Sequence, residues 1–290
     1  MCRMGLVYFL RKPKSETLED YVRVVLHAIV KGRYLGTDSL GIVTSDLNKI
    51  SYYKRPVDPA ICLRENFEDI YSVLTYYGEN TKLIMFHERL ASKGTIDLEN
   101  TQPIIRNSVI LAHNGHLHTY GNGNKSDTVE FTETLEKLKI DSAKKFIENT
   151  DILDIRGTAN LLIFFRKAKE ILAIKDKDLI SFYDPKNRVI TVFSEKRMLV
   201  DPRKALYTNI TKVKRYFGVF KLEHSEKIEL LPEKTESTVD TKELAVWNMA
   251  YGDYLMIRKN KVKTGYIKNY TYKGYYDYYG YTTGYSKYYP

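Results

Sequence analysis

The residue with the most chemical potential is the second one. The chain opens Met1-Cys2-Arg3-Met4-Gly5, and an apolar run comes next, Leu6-Val7-Tyr8-Phe9-Leu10. Removal of Met1 would leave Cys2 with a thiol and a free α-amine on one carbon. The thiolate is the effective nucleophile of a cysteine, and its pKa is tunable. An α-amine titrates near neutrality, with a reference pKa of ~8. One residue would then supply both nucleophile and base. Alone, a cysteine near a chain end is an ordinary occurrence, so the reading depends on whether downstream residues supply the rest of a site.

Three segments do so, in order along the chain. The first is His87-Glu88-Arg89-Leu90-Ala91-Ser92-Lys93-Gly94, continued by Glu99-Asn100-Thr101-Gln102-Pro103. The second is Leu111-Ala112-His113-Asn114-Gly115, and the third is Ser126-Asp127-Thr128. With Cys2, this set resembles the class II glutamine amidotransferases, a branch of the N-terminal nucleophile hydrolases. Members typically show Met-Cys, then His-x-Arg-(aromatic)-(Ser/Ala)-Thr-x-Gly, Asn-Ala-(Gln/His)-Pro, His-Asn-Gly and Ser-Asp-(Thr/Ser)-Glu. The Met-Cys-Arg opening is closest to the stand-alone members. Weaker echoes are Gly36-Thr37-Asp38-Ser39-Leu40-Gly41-Ile42 and Phe193-Ser194-Glu195, which carry the likeness to about Pro232.

The resemblance implies a division of labour. Cys2 attacks the side-chain amide of glutamine and forms a γ-glutamyl thioester, releasing ammonia. Asn114 and Gly115 donate to the oxyanion, where each preorganised donor is typically worth ~3–4 kcal/mol. Arg89 takes the α-carboxylate with its bidentate fork. Asp127 accepts from the α-ammonium, and the backbone around Ser92 adds contacts. Three departures stand out. Leu90 replaces an aromatic that shapes the pocket, Lys93 occupies a variable position, and Glu130 comes one residue later than the usual acid. They weaken any expectation of ammonia transfer or of a tight glutamine pocket and leave the hydrolytic set intact; the alternatives are a γ-glutamyl amide hydrolase acting on a small metabolite and a non-catalytic binding or assembly protein that retains the fold.

Other residues have plainer readings. His113, His116 and His118 could suggest a metal cluster, but His113 belongs to a motif, and no metal or cofactor is expected. Cys62 lies outside every motif and reads as a buried small apolar residue. Gly121-Asn122-Gly123-Asn124 lacks the Lys-(Ser/Thr) of a phosphate loop and reads as a turn.

Composition bounds the class. The chain has 290 residues, enough for one large domain or two small ones, and its two cysteines exclude a disulfide scaffold. A catalytic thiol suits a reducing, cytoplasmic setting. No apolar run approaches the ~18 residues of a membrane span, so no membrane partner is expected. The formal net charge is +10, split as +7 over residues 1–232 and +3 over 233–290. Charge spread this way reads as a solvated surface, and nucleic acid is not an expected partner. Expected partners are glutamine or a γ-glutamyl amide, and a separate ammonia-acceptor subunit.

Periodicity predicts strands near 4–10, 40–45, 48–54, 82–87, 108–113, 158–166, 170–174, 178–183 and 189–194. It predicts helices near 17–31, 66–77 and 128–148, the first with Val22, Val25, Leu26, Ile29 and Val30 on one side. Mixed α and β with antiparallel pairs is the fold class this pattern supports. The resemblance sharpens it to an α+β, four-layer α/β/β/α sandwich of the N-terminal nucleophile hydrolase type. The amidotransferase-like domain is expected over 1–232, with a polar, partly helical and then Tyr-rich extension over 233–290. Thirteen tyrosines lie beyond residue 250, and none of the last 21 residues is Leu, Ile, Val, Met or Phe. Such a segment cannot build an aliphatic core and reads as a flexible tail suited to docking on a protein.

Overall fold

The computed structural model describes residues 2–32, 34–175, 179–184, 186–195 and 198, together with four later strands at 220–221, 243–248, 253–258 and 261–266. The elements up to the middle of the chain are β1 (Arg3–Phe9), α1 (Ser15–Gly32), β2 (Ser39–Ser45), β3 (Ile50–Arg55), α2 (Pro59–Glu65), α3 (Phe67–Thr75), β4 (Leu83–Arg89), β5 (Ile104–Ile105) and β6 (Val109–Leu117). Then come α4 (Asp127–Lys137), α5 (Ala143–Glu148), α6 (Thr150–Leu153), β7 (Gly157–Phe165), β8 (Glu170–Lys175), β9 (Ile180–Asp184) and β10 (Val189–Phe193). The later strands are β11 (Phe220–Lys221), β12 (Glu243–Asn248), β13 (Asp253–Arg258) and β14 (Lys261–Tyr266).

Two antiparallel sheets result. The first runs β3-β2-β4-β1-β10-β9, and the second β14-β13-β12-β8-β7-β6-β5, with β11 beside β8. Side chains alternate across a strand, and β1 shows what that does here. Met4, Leu6 and Tyr8 join Leu83 and Met85 of β4 in a core shared with β6, β7 and β8 of the second sheet, and with α4 and α5. Val7 and Phe9 point the other way, into a core with Leu18, Val22, Val25 and Ile29 of α1 and Ile70 and Leu74 of α3. A strand buried on both faces is apolar throughout, which is why β1 reads as a continuous run rather than an alternation. Gly5 is required within it, because a Cβ there would lie 2.5 Å from the rings of both Phe86 and Phe193.

The expected mixture of α and β with antiparallel sheets is met, and the elements differ in detail. Residues 66–77 begin later than expected and are preceded by a separate helix, α2. Asp58 caps α2 by accepting from the Ala60 N–H at 2.6 Å, with Pro59 in its first turn. Phe67 is exposed on α3, and Ile70 and Leu74 carry its buried face. Val30 is likewise exposed, because the buried stripe of α1 runs through Leu18, Tyr21, Val22, Val25 and Ile29. The helical stretch after Ser126 is three short helices, since Lys139 and Asp154 take left-handed backbone and end the first and last of them. Glu243–Asn248, expected to be partly helical, is a strand pairing with β8 and β13. Residues 267–290, with most of the Tyr-rich tail, lie outside the described residues. Among the described residues no helix is long and apolar enough to cross a membrane.

Candidate active site

The ends of β1 and β4 place Cys2. Antiparallel pairing sets Arg3 opposite Glu88 and Met4 opposite His87. Cys2 therefore sits beside the last residues of β4. The Leu90 N–H donates to Cys2 Sγ at 3.3 Å, and the thiol reaches the Leu90 carbonyl at 3.5 Å. Burial pushes the Cys2 thiol up, while the Leu90 backbone and the Arg89 charge pull it back in part, and Asp127 adds to the rise. A thiol so placed holds its proton at neutral pH and needs a base to become a nucleophile.

The late motif anchors the same strand end. The Met4 N–H donates to Ser194 Oγ at 3.0 Å, and the Ser194 N–H donates back to the Met4 carbonyl at 2.9 Å. Arg3 is buried, meets Glu195 at 2.5 Å and donates to the Cys2 carbonyl at 3.3 Å. The opening Cys-Arg-Met is thus held by Phe193-Ser194-Glu195 from one side and by β4 from the other.

His87 joins the two sheets. Its Nε2 donates to the His113 carbonyl at 2.9 Å across the gap between β4 and β6. Burial, its main cause, holds the imidazole down at about 3, so the ring is neutral. The bond brings His113, Asn114 and Gly115 to the end of the first sheet that carries Cys2. Asn114 is 6% exposed. Asn160 donates to its carbonyl at 3.3 Å, and among the described residues no hydrogen bond engages its side-chain amide. Gly115 has φ 156°, and a Cβ there would lie 2.1 Å from the Thr158 carbonyl oxygen. Only glycine fits that point in the β6–β7 ladder.

Asp127 opens α4, one residue after Ser126, whose hydroxyl caps the helix by accepting from the Val129 N–H. An anion is favoured at that end. Its Oδ2 accepts from the Leu117 N–H at 2.8 Å and its Oδ1 from the Thr128 N–H at 2.7 Å. Burial pushes the carboxyl up, but His113 and those two N–H donors more than offset it and hold it at about 2. Arg89 is 2% exposed and feels the charges of Cys2, Asp97, Asp38 and Asp127. It donates through Nη1 to the Thr95 carbonyl at 2.7 Å and through Nη2 to the Lys93 carbonyl at 2.6 Å. With five N–H donors available to a guanidinium, these two bonds leave capacity for a further acceptor. The structure therefore gathers Cys2, Arg89, Asn114, Gly115 and Asp127 at one end of the paired sheets. Ser92 lies on the exposed loop after β4.

Several positioning residues were not singled out by sequence reasoning for these roles. Gln102 accepts from the His113 N–H at 2.7 Å and donates to Thr128 Oγ1 at 3.0 Å, tying the second motif to the third. Asn100 accepts from the Ser126 N–H at 2.6 Å and donates to the Asn124 carbonyl at 2.8 Å. Asp38 accepts from the Ala91 N–H at 2.6 Å and so fixes the loop beside Cys2. Glu130 accepts from the N–H groups of Gly121 and Asn122 at 2.8 and 3.0 Å and closes the Gly-Asn-Gly-Asn turn. His116 and His118 meet edge to face at 5.5 Å. Among the described residues no group of three His, Cys, Asp or Glu is suited to hold a metal ion. Cys62 is 1% exposed in the core under α1, as expected of a small apolar residue.

No protein-family model matches this chain, and no curated protein matches it. Among solved structures, it is similar to the glutamine phosphoribosylpyrophosphate amidotransferase from B. subtilis complexed with ADP and GMP. The identity is 15% and the TM-score 0.41, with 92% of this chain and 50% of that one covered. A second similar structure is described as the allosteric regulatory enzyme of purine biosynthesis. There the identity is 16% and the TM-score 0.44, with 93% and 49% covered. The chain spans about half the length of each.

The titrations at the site make acid stability testable. His87 has a folded pKa of about 3, below its usual 6.5, so its contribution is present above 6.5 and lost as pH falls toward 3. Asp127, at about 2 against 3.8, contributes above 3.8 and loses that as pH falls through about 2. Denaturant midpoints measured from pH 7 to pH 2 should decline over both windows. His87→Gln should flatten the upper one and Asp127→Asn the lower. Unchanged slopes in both variants would show that neither group controls acid unfolding.

Proposed function

We propose that the chain is a glutamine amidotransferase-like amidohydrolase that uses Cys2 as nucleophile. The observation that carries this is the convergence of a half-buried thiol, a buried arginine, a buried ionised aspartate and a free asparagine amide at one sheet end. Cys2 Sγ attacks the γ-carbonyl carbon, the C–S bond forms, and the C–N bond breaks. The Cys2 α-amine, freed by removal of Met1, takes the thiol proton and returns one to the departing ammonia. Water then cleaves the thioester to glutamate and restores the thiol. Asn114 and Gly115 supply oxyanion donors, and Arg89 and Asp127 hold the two charges of the amino-acid head group. Ser92 lies on the loop that borders this pocket.

A second reading is hydrolysis of γ-glutamyl amides with larger leaving groups. It draws support from Leu90, which touches Cys2 through its backbone and is 40% exposed. Glutamate-release assays comparing glutamine, whose leaving group is ammonia, with a γ-glutamyl amide whose leaving group is a larger amine separate the two. Ammonia delivery to a separate acceptor protein belongs to the first reading, and docking through the Tyr-rich segment remains a proposal of the sequence.

Arg89→Lys tests the head-group assignment. Lysine keeps the charge and loses the planar fork, and a charge-assisted hydrogen bond is worth about 1.5–3 kcal/mol. The KM for glutamine should rise more than about tenfold with a smaller change in kcat. Unaltered steady-state kinetics would move the α-carboxylate site elsewhere.

A further inference from the structure

We propose that Lys93 is a positioning residue that sets the α-ammonium end of the site, making the enzyme select amides bearing an α-amino-acid head group. The inference rests on the amidohydrolase reading. Lys93 stands between the two groups assigned to the head group. Its main-chain carbonyl accepts from Arg89 Nη2 at 2.6 Å. Its side chain runs past Gly121, where a Cβ would lie 2.6 Å from Lys93 Cδ and 2.8 Å from the Asp127 nitrogen. Its ammonium then donates to the Leu117 carbonyl at 3.2 Å and to the Tyr120 carbonyl. Leu117 is also the residue whose N–H donates to Asp127 Oδ2 at 2.8 Å.

One residue therefore holds the Arg89 loop by its backbone and the Asp127 turn by its side chain. Among the described residues the Lys93 ammonium forms no ion pair. Its charge ends on two main-chain carbonyls, so its contribution is to the geometry of the 117–120 turn. The distance between a carboxylate-binding and an ammonium-binding group decides which zwitterion fits. Lys93 spans that distance. Gly121 is part of the device, since any side chain there would collide with the lysine stem.

The test uses glutamine and glutaramate, which keeps the γ-amide and the carboxylate but lacks the α-amine. Wild type should favour glutamine in kcat/KM. Lys93→Met retains the stem and removes the ammonium. Its KM for glutamine should rise about tenfold with kcat within about twofold, while glutaramate turnover stays unchanged. Lys93→Arg, which retains donors at the end of a comparable stem, should recover at least part of the preference. Equal losses on both substrates, an unchanged preference in Lys93→Met, or a folded Lys93→Arg without preference would each overturn the proposal. A wild-type protein that releases ammonia from neither amide would overturn the amidohydrolase reading, and this proposal with it.

Discussion

Cys2→Ala should abolish ammonia release from glutamine while leaving the protein folded. The substitution removes one sulfur that, among the described residues, is hydrogen-bonded only to the Leu90 backbone at 3.3 and 3.5 Å. The strand behind it keeps its anchors, because Arg3–Glu195 and Met4–Ser194 do not involve the thiol. The stability change should stay below about 1 kcal/mol, as for substitutions away from the core. Loss of a covalent nucleophile is far larger, on the order of 10⁴-fold or more in kcat. Cys62→Ala supplies the converse. That thiol is 1% exposed in the α1 core, so its removal should cost stability and leave activity intact. A glutamine-mimicking diazoketone should add one mass to Cys2 and none to Cys62. Ammonia release surviving in Cys2→Ala, or labelling at Cys62, would refute the assignment. Intact-mass measurement of the native protein should find Met1 removed, because a retained Met1 would block the α-amine.

The residues proposed to perform chemistry were legible because their identity is their signal. Cys2, Arg89, Asn114, Gly115 and Asp127 stand in short segments whose order carries information. Strands such as β1 and β6 were legible for a different reason, since a strand buried on both faces is a continuous apolar run. What the sequence could not display is how the segments bind one another. Asn100 and Gln102 stand in a motif, but what they bind shows only when the fold sets them against His113, Thr128 and Ser126, 11 to 26 residues away. The Arg3–Glu195 pair spans 192 positions, beyond any periodicity. Lys93 looked like a departure at a variable position, and its meaning came from two carbonyls 24 and 27 residues on. The helix ahead of the 66–77 region, α2, was missed because the Asp58-Pro59 start signal opens a helix of only seven residues. A helix of two turns is too short for its apolar spacing to stand out.

Gly115→Ala should be strongly damaging to both stability and activity. Its Cβ would lie 2.1 Å from the Thr158 oxygen, 2.7 Å from the Thr158 carbonyl carbon and 2.9 Å from His113 Nε2. Two of these are main-chain atoms of β7, which pairs with β6 from Val109 to Leu117. Neither strand can move aside without breaking ladder bonds on both sides of the clash. The backbone adds a second cost, because φ 156° is a conformation that an L side chain rarely adopts. Overpacking and backbone strain each cost about 1–3 kcal/mol, so a loss of about 3 kcal/mol is expected. For a chain of this size that lowers the melting temperature by roughly 6–12 °C. Activity should fall further than stability explains, by about 10²–10³-fold, because the displaced peptide carries the N–H proposed as an oxyanion donor beside Asn114. Gly78→Ala separates the two costs. It has φ 51° with nothing within 4 Å of the added Cβ, so it reports backbone strain alone. Calorimetry on both variants should show the larger drop for Gly115→Ala, and kinetics at a temperature where both are folded should show the catalytic loss only there. A Gly115→Ala protein with wild-type melting and turnover would mean that β6 does not approach β7 as described, and that the oxyanion donors lie elsewhere.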